Sequence, residues 1–363
     1  MSTIVQVAGF YAPASGGLRT TVDALGRRYR DAGHEPVLVI PGAHDGRDRS
    51  GPVTVVTLRS PRLPGTPYRV LADRPALLRT LDREAPDHLE VHDKVVAVGV
   101  ARWAAARGVP AVLVSHERLD GILARRVPPG FPLRRAADRW NRRLAAAYEV
   151  IVCASGYAAE EFRRVGAAVT QIPLGVDLDT FAHRPGIRGS RPLVAWIGRL
   201  SAEKRPDLAV ATFRELARRG VDVEFVVLGD GPLRRRTERQ ARGLPVTFAG
   251  HVPRDVVADV LGTASVVLAT CPVESFGLGV LEAMACGTPV VVPSAGATQE
   301  LVTGGGGLAV RPSAPALADA VATLLGQPDA GAAARRRAEA FPWQATVDAM
   351  LSLHGLDRIT VPC

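Results

Sequence analysis

The stretch LVAWIGRLSAEKRPDLAVATFRELARRGVDVEFVVL, residues 193–228, decides the fold of this chain. It opens with a short apolar run at Leu193–Ile197, continues into an amphipathic segment at Arg205–Arg219 and closes with a second run at Val223–Leu228. Apolar runs of strand length on either side of a helical period predict strand, helix and strand, which is a βαβ unit of a parallel sheet.

The same alternation continues in both directions along the chain. The predicted strands are Thr3–Val7, Pro36–Ile40, Val53–Leu58, His88–Val91, Ala111–Ser115, Glu149–Cys153 and Val169–Ile172 in the first half, and Leu193–Ile197, Val223–Leu228, Val246–Ala249, Ser265–Ala269 and Pro289–Val292 in the second. The predicted helices include Leu18–Ala32, Gly156–Val165, Arg205–Arg219 and Phe276–Ala285.

A segment of weak periodicity, Leu178–Pro192, is rich in Pro, Gly and Arg and is the predicted linker. We therefore predict an α/β protein with two doubly wound parallel-sheet domains at residues 1–180 and 181–340, facing each other across a cleft. Residues 341–363 are expected to form a closing helix that packs back toward the first domain. Ligands are expected at the carboxyl ends of the strands.

Length and composition agree with this architecture. The chain has 363 residues, of which 47% are hydrophobic and 22% charged, so two domains with real cores are expected. A disordered tail, a collagen-like repeat and a coiled coil are excluded. No apolar run reaches the ~18–20 residues of a membrane-spanning helix. The start, MSTIVQVAGF, is interpreted as a strand, and the four cysteines lack CxxC spacing, so a cytoplasmic location is expected.

The net charge of +9 arises almost entirely from arginine, because only Lys94 and Lys204 among the 45 basic residues are lysines. That skew is typical of codon bias and does not by itself indicate a polyanion partner. With 5% aromatic residues and no recognisable module, a nucleic-acid-binding function is disfavoured. A lysine that persists against the bias indicates a place where a compact ammonium is needed.

Three motifs carry candidate chemistry. The loop SGGL places Gly16 and Gly17 at the start of the first long helix, where exposed amides suit either a phosphate or a structural tight turn. The absence of a GxGxxG pattern gives no support to a dinucleotide site. In GRLSAEK, residues 198–204, a strand ends at Gly198, and Arg199 and Lys204 follow in a loop suited to a diphosphate.

The third motif, ESFGLGVLEAMACGTPVV, occupies residues 274–291. Glu274 and Glu282 are eight residues apart in a stretch that is otherwise apolar, where an unpaired charge is costly. The run Phe276-Gly277-Leu278-Gly279 presents backbone amides at a helix start. One carboxylate is suited to sugar hydroxyls and the other to ribose hydroxyls.

These motifs, together with LGDGP at residues 228–232 and IPLGVDLDTF at residues 172–181, resemble the retaining family 4 glycosyltransferases of GT-B fold, in particular the actinobacterial mannosyltransferase-like members. The resemblance covers nearly the whole chain. It implies that the C-terminal domain binds a nucleotide sugar and that the N-terminal domain binds the acceptor.

Residue roles follow from the resemblance. Arg199 and Lys204, with the loop of Gly16 and Gly17, are expected to bind the donor diphosphate. The resemblance assigns the sugar to Glu274 and the amides at Phe276, Gly277 and Leu278, the ribose to Glu282, and the base to the turn that contains Gly229 and Asp230. Gly198, where the strand before Arg199 ends, is also expected to bind the donor. Where the family often has a double glycine, this chain has SAGATQE, residues 294–300, which leaves a ligand role for Glu300 open.

Histidines follow two strands of the first half. His116 comes directly after Ala111–Ser115, and the resemblance implies that it binds the donor sugar beside the reacting carbon. His92 and Asp93 follow His88–Val91, and two readings stay open for them: acceptor binding or a strand-end turn.

Two further patterns are ambiguous. Asp177-Leu178-Asp179 has the DxD spelling of a metal site but follows a Gly-Val turn, so we interpret it as a linker entrance and expect no metal. The segment Arg118–Arg143 holds eight arginines and two aspartates. It suits an anionic membrane surface or a phosphorylated lipid acceptor, and equally a solvated helical face.

The expected function is a retaining hexosyltransferase that uses a nucleotide-diphosphate sugar as co-substrate and no other cofactor. GDP-mannose is the favoured donor and a UDP-hexose the alternative; a nucleotide-sugar epimerase is the second enzyme class. The expected acceptor is a lipid-linked or phosphorylated polyol, and the expected location is cytoplasmic or peripheral at the inner face of the membrane. No side chain stands out as a covalent nucleophile.

Overall fold

The computed structural model describes residues 1–11, 16–64, 66, 68–124, 127–128, 130–183 and 191–356. The chain divides into two compact units. Unit 1 comprises Met1–Asp120, Pro129–Pro173 and Trp343–Cys363, and unit 2 comprises Gly121–Pro128 and Leu174–Pro342. The predicted α/β class is confirmed in both units. Of the predicted linker, residues 184–190 lie outside the described residues.

Unit 1 is built on an eight-stranded sheet with the order β10-β9-β8-β7-β1-β3-β5-β4, in which only the β4–β5 pair is antiparallel. A separate antiparallel pair joins β2 and β6. Its strands and helices are β1 Thr3–Val7, β2 Phe10–Tyr11, α1 Gly17–Asp31, β3 Glu35–Gly42, β4 Gly46–Asp48, β5 Thr54–Arg59, β6 Arg69–Val70, α2 Arg74–Glu84, β7 His88–Val91, α3 Ala97–Ala105, β8 Ala111–Ser115, α5 Leu133–Ala145, β9 Val150–Cys153, α6 Gly156–Arg163 and β10 Thr170–Gln171. Helix α4, Leu119–Leu123, begins in unit 1 and ends in the Gly121–Pro128 segment assigned to unit 2.

The central strands of unit 1 are buried on both faces because helices cover both sides of a parallel sheet. Val5, Val7, Val39, Leu89 and Val91 are fully buried in one continuous core. The chain leaves β1 toward β3 on one side and returns to β7 on the other. The strand order therefore reverses between β1 and β7, and loops at such a reversal are where doubly wound sheets bind ligands.

Unit 2 is built on a six-stranded, wholly parallel sheet with the order β13-β12-β11-β14-β15-β16. Its order reverses between β11 and β14. Its strands and helices are β11 Leu193–Ile197, α7 Pro206–Arg218, β12 Glu224–Leu228, α8 Arg234–Gln240, β13 Val246–Gly250, α9 Arg254–Thr263, β14 Val266–Leu268, α10 Leu278–Ala285, β15 Val290–Pro293, α11 Thr298–Val302, β16 Gly307–Val310, α12 Ala314–Leu325 and α13 Ala330–Ala338, with a 3-10 turn at Ala202–Lys204.

Two loops of unit 2 approach each other backbone to backbone, and glycine makes this possible. A Cβ on Gly229 would stand 2.1 Å from the carbonyl oxygen of Gly198, and its φ of +125° is rarely adopted by other residues. The Leu200 amide donates to the Asp230 carbonyl at 3.0 Å in the same contact. GRLSAEK and LGDGP are therefore one packed assembly at the carboxyl edge of the sheet.

The last helix, α14 at Trp343–Leu353, belongs to unit 1. Val347, Met350 and Leu351 of this helix are buried against Leu25 and Tyr29 of α1. The Thr346 hydroxyl donates to the Pro173 carbonyl at 2.8 Å. The chain thus returns to unit 1 after completing unit 2, so unit 1 is assembled from distant parts of the sequence.

The sequence analysis did not predict four of the strands that the structure describes. β2, β4 and β6 are two or three residues long, which is too short for a period-2 pattern to register. β16 begins at Gly307, the last residue of the run GGGG at residues 304–307, whose turn composition conceals the short apolar segment after it.

Candidate functional site

The loops after β11 and β14 bring together two candidate residues of unit 2. Lys204 ends the 3-10 turn after β11, and its Nζ is paired with Oε2 of Glu274, which follows β14. Burial lowers the pKa of Lys204, but the Glu274 carboxylate outweighs burial and raises it above the usual range. The ammonium is therefore held charged at the point where the strand order reverses.

Thr270 fixes the backbone of this loop. Its hydroxyl donates to the Lys204 carbonyl at 2.7 Å, and it accepts the Trp196 indole N–H at 2.9 Å. Trp196 is 1% exposed in the core under the sheet. A buried side chain of β11 thus sets the position of the lysine loop. Arg199 lies half-buried directly after Gly198 in the same loop.

The Glu274 loop is held by the segment after β15. The Ala297 amide donates to the Glu274 carbonyl at 2.7 Å, and a Cβ on Gly296 would approach the Glu274 backbone to 3.1 Å. Helix α10 then begins after Gly277, whose φ is +103° and which provides no side-chain cap. The first amides of α10 lie beside Glu274 in the chain, which is an arrangement suited to an anion or to sugar hydroxyls.

Phe276 and Asp230, two further predicted donor residues, and Glu300, whose ligand role was left open, have the following contacts. Phe276 is buried and packs edge-on against Phe341 at 6.4 Å, so its side chain serves packing and its backbone leads into α10. Asp230 pairs with Arg234 at 3.2 Å. Glu300 lies in the first turn of α11, where its carbonyl accepts from Arg337 at 3.1 Å.

Glu282 occupies the middle of α10 and is 15% exposed. Arg254, the first residue of α9, approaches its carboxylate to 3.4 Å. Burial raises the pKa of Glu282 to about 7, although Arg254 opposes the shift; Asp177 adds to it. A ligand that donates hydrogen bonds to the Glu282 carboxylate would therefore stabilise its ionised form. Arg254 was not singled out from the sequence, because nothing local links it to a glutamate 28 residues later.

In unit 1 the corresponding strand reversal carries Gly16 and Gly17. Gly16 precedes α1, whose N-terminus receives no side-chain cap from the described residues, and a Cβ on Gly16 would meet none of their atoms within 4 Å. Open amides at the start of a 15-residue helix are an anion-binding feature. Residues 12–15 of this loop lie outside the described residues.

His92 and His116 are in direct contact in unit 1. His92 Nδ1 lies 2.9 Å from His116 Nε2, and His92 Nε2 lies 3.0 Å from the Glu90 carboxylate. His92 is 1% exposed, whereas His116 is half-buried. Burial lowers the pKa of His116 to about 3, and the neighbouring His92 adds to the effect. The sequence analysis missed Glu90, although a glutamate inside an otherwise apolar strand was the available signal.

Asp93 has a local structural role. Its carboxylate accepts the backbone amides of Gly9, Val95 and Val96. Burial raises the pKa of Asp93, and these amides oppose the shift. This geometry favours the strand-end turn over acceptor binding for Asp93. Asp177 is engaged in the same way, since its carboxylate accepts from the amides of Asp179 and Thr180.

The arginine-rich segment includes helix α5, which presents a basic outer face. The exposed arginines of α5 are Arg134, Arg135, Arg139, Arg142 and Arg143. Ala137, Asn141 and Leu144 form its buried face, and Phe131 just before the helix is 50% exposed. Arg118 instead pairs with Asp120 at 3.0 Å. Arg125 and Arg126 lie outside the described residues.

Among the helices that the structure describes, none has the length and apolar content needed to cross a bilayer.

Two units built on doubly wound sheets, together with the structural and family matches below, define a glycosyltransferase of GT-B fold. Residues 15–180 match the family model described as Glycosyltransferase Family 4, and residues 191–327 match Glycosyl transferases group 1. The chain belongs to the family 4 glycosyltransferases.

Individual relatives agree with this assignment. The chain is 42% identical, over 99% of its length and 98% of the relative, to the GDP-mannose-dependent alpha-(1-6)-phosphatidylinositol dimannoside mannosyltransferase of Mycobacterium tuberculosis. It is 30% identical, over 64% of this chain and 65% of the relative, to the corresponding monomannoside mannosyltransferase of Mycolicibacterium smegmatis.

Solved structures share the fold at low identity. Sucrose-phosphate synthase from Thermosynechococcus elongatus matches with a TM-score of 0.83 at 21% identity, over 98% of both chains. Anabaena HepE in complex with UDP matches with a TM-score of 0.73 at 18% identity, over 97% of this chain and 99% of that one. The predicted GT-B fold is confirmed by these matches.

Proposed function

We propose that this enzyme transfers mannose from GDP-mannose to a hydroxyl of a phosphatidylinositol mannoside, with retention of the anomeric configuration. The observation that carries the proposal is the 42% identity to the mycobacterial dimannoside mannosyltransferase across nearly the full length of both chains. The second relative, whose name also specifies GDP-mannose and a phosphatidylinositol mannoside, supports the same donor and acceptor class.

The side chains of unit 2 suit the donor. In this proposal Lys204 and Arg199 bind the diphosphate, Glu274 and the first amides of α10 bind the mannose, and Glu282 accepts hydrogen bonds from the ribose. The Gly229–Asp230 turn borders the base. In unit 1, the α1 N-terminus at Gly16 and Gly17 binds phosphate oxygens and His116 contacts a sugar hydroxyl. No metal or other cofactor takes part.

The reaction in this proposal breaks the bond between the mannose anomeric carbon and the diphosphate oxygen. Negative charge develops on the leaving GDP, and Lys204 and Arg199 stabilise it. The acceptor hydroxyl forms the new bond on the face that the diphosphate leaves, and its proton passes to the departing phosphate oxygen. No covalent glycosyl-enzyme intermediate is needed.

A nucleotide panel tests the donor. GDP and GDP-mannose are expected to raise the melting temperature of the protein, in the presence of EDTA, far more than UDP, ADP or their sugar conjugates. Transfer of mannose should then require a phosphatidylinositol mannoside. A selective shift with UDP-sugars would replace GDP-mannose by the alternative donor class, and isomerised donor without acceptor would favour an epimerase.

We also propose that α5 binds the membrane surface that carries the acceptor, because its five exposed arginines form a basic outer face and the exposed Phe131 lies just before the helix. Changing Arg134, Arg135, Arg139, Arg142 and Arg143 to Ser should weaken binding to vesicles with phosphatidylinositol by roughly three orders of magnitude, since each basic residue at the surface contributes roughly 1 kcal/mol. The control replaces exposed Arg235, Arg236, Arg239 and Arg242 of unit 2 by Ser. Equal vesicle binding by both variants would contradict the proposal.

A further inference from the structure

Glu90 lies at the centre of a buried hydrogen-bond network in unit 1. Its side chain is fully buried in β7. One carboxylate oxygen lies 2.6 Å from the Tyr29 hydroxyl and 3.0 Å from His354 Nε2. The other lies 2.9 Å from Gln6 Nε2 and 3.0 Å from His92 Nε2. Each oxygen therefore has two partners, which come from β1, α1, the end of β7 and the residue after α14.

The charge of Glu90 fixes the direction of these hydrogen bonds. Burial alone would raise the pKa of Glu90, but the hydrogen bonds from His354 and His92 outweigh it and hold the pKa well below its usual range. An ionised carboxylate only accepts hydrogen bonds. Its four partners must consequently all donate, and His92 carries its proton on Nε2.

The position of the proton on His92 determines which of His92 and His116 donates the hydrogen bond between them. In the neutral form of His92, a proton on Nε2 leaves a lone pair on Nδ1, and that atom accepts a hydrogen bond. His116 Nε2 stands 2.9 Å from that atom and must donate to it. His116 is then a neutral ring with a proton on Nε2 and a lone pair on Nδ1.

We propose that Glu90 and His92 are positioning residues for glycosyl transfer, which fix His116 in the Nε2–H tautomer so that its Nδ1 accepts a hydrogen bond from a sugar hydroxyl. The proposal rests on the proposed function only through the role of His116 at the sugar. His354, which lies 264 residues after Glu90 in the chain and directly after α14, also donates to Glu90. The C-terminal segment therefore contributes to the same network.

The energetics of burial favour a functional reason for this network. A carboxylate buried between parallel strands is costly unless every lone pair is satisfied, and apolar residues of similar volume often stabilise a core equally well. Residues that orient a metal-ligating histidine through a hydrogen bond typically contribute about 10–100-fold to metal affinity or activity, and we expect a similar range for residues that orient His116. The chain Glu90–His92–His116 has the geometry of such an arrangement.

The isosteric variant Glu90→Gln tests the direction of the network. The glutamine amide supplies an NH₂ group on one side, and where it faces His92 it must donate to Nε2. His92 then carries its proton on Nδ1 and donates to His116, whose proton moves to Nδ1. We expect the imidazole ¹⁵N spectrum to show His116 protonated at Nε2 in the wild type and partly at Nδ1 in Glu90→Gln, with the His116 signals assigned by their loss in His116→Ala.

Kinetics of folded variants separate positioning from packing. His92→Leu and Glu90→Gln are expected to lower kcat by about 10–100-fold with little change in KM for the nucleotide sugar. His92→Gln should restore part of kcat, because its amide offers a donor toward Glu90 and an acceptor toward His116. Tyr148→Phe is the control, since it removes another buried hydrogen bond of unit 1, from the Tyr148 hydroxyl to the Ala97 carbonyl at 2.7 Å.

The outcomes distinguish this inference from the proposed function. If His116→Ala transfers mannose at the wild-type rate, the role of His116 in the proposed function is wrong. If His116→Ala is inactive while folded Glu90→Gln and His92→Leu match Tyr148→Phe in kcat, the positioning inference is wrong and the proposed function stands. A wild-type His116 protonated at Nδ1 would also overturn the inference.

Discussion

Replacing Lys204 with alanine is expected to lower kcat/KM for the nucleotide sugar by about 100- to 1,000-fold, the usual range for removing one preorganised group that stabilises developing charge. Lys204 is paired with Glu274 at the strand reversal of unit 2, so its ammonium is held in place before the donor binds. Initial rates over a range of donor concentrations, at saturating acceptor, measure the effect.

Arg205→Ala is the matched control for Lys204→Ala. Arg205 is the adjacent residue, but its guanidinium pairs with Asp207 at 2.9 Å and has no assigned role at the donor. We expect its kcat/KM to stay within about threefold of wild type, as for a surface ion pair. If both variants lose activity equally, the effect reflects loss of positive charge in the region and not a diphosphate contact by Lys204.

Replacing Glu282 with glutamine is expected to stabilise the ligand-free protein at pH 8 while weakening donor binding. Burial raises the pKa of Glu282 to about 7 in the folded state, well above the ordinary value of 4.5. As pH rises from the unfolded to the folded pKa, the group loses folding free energy, by about 3 kcal/mol in total. Glutamine carries no charge and avoids this loss.

The sign of the pH dependence follows directly. Below pH 4.5 the Glu282 side chain is mostly neutral in both the folded and the unfolded state. Wild type and Glu282→Gln should therefore have similar stability there. The stability advantage of the variant should grow up to pH 7 and then level off. Urea unfolding at pH 5 and pH 8 measures it, and Glu224→Gln, at a side chain that is 54% exposed, is the control.

Although Glu282→Gln should be the more stable protein at pH 8, the wild type should bind the donor more tightly. Ribose hydroxyls donate to the ionised Glu282 carboxylate, so GDP binds the wild type more tightly as pH rises from 6 to 8, and binding releases a proton. Glu282→Gln should bind more weakly and lose this pH dependence, as measured by calorimetry in two buffers of different ionisation enthalpy. A variant with unchanged affinity at pH 8 would contradict a ribose contact.

The elements of the fold were largely readable from the sequence, because each is a local pattern. The strands at Thr3–Val7, His88–Val91, Ala111–Ser115 and Leu193–Ile197 have the predicted bounds. These strands are buried on both faces, so a short and mostly apolar run marks each of them, with Gln6 and Glu90 as buried polar exceptions. Short or glycine-flanked strands carry no such run and were missed.

The candidate site was readable only in part. Lys204 and Glu282 were identified from residue type and setting, since a rare lysine and a glutamate in an apolar run are each unusual by themselves. Arg254 was missed because its significance lies in the partner that it meets, whereas Glu90 was missed although a glutamate inside a short strand was a local signal.

The sequence by itself determined the α/β class, the alternation of strands and helices, and the loops that carry the motifs. Only the tertiary structure decided which side chains meet. Lys204 reaches Glu274, which lies 70 residues later in the chain, because the sheet order sets β14 beside β11. His354 reaches Glu90 because the C-terminal helix packs on unit 1. Local periodicity specifies which face of an element is buried, whereas the order in which elements assemble depends on the free energy of the whole core.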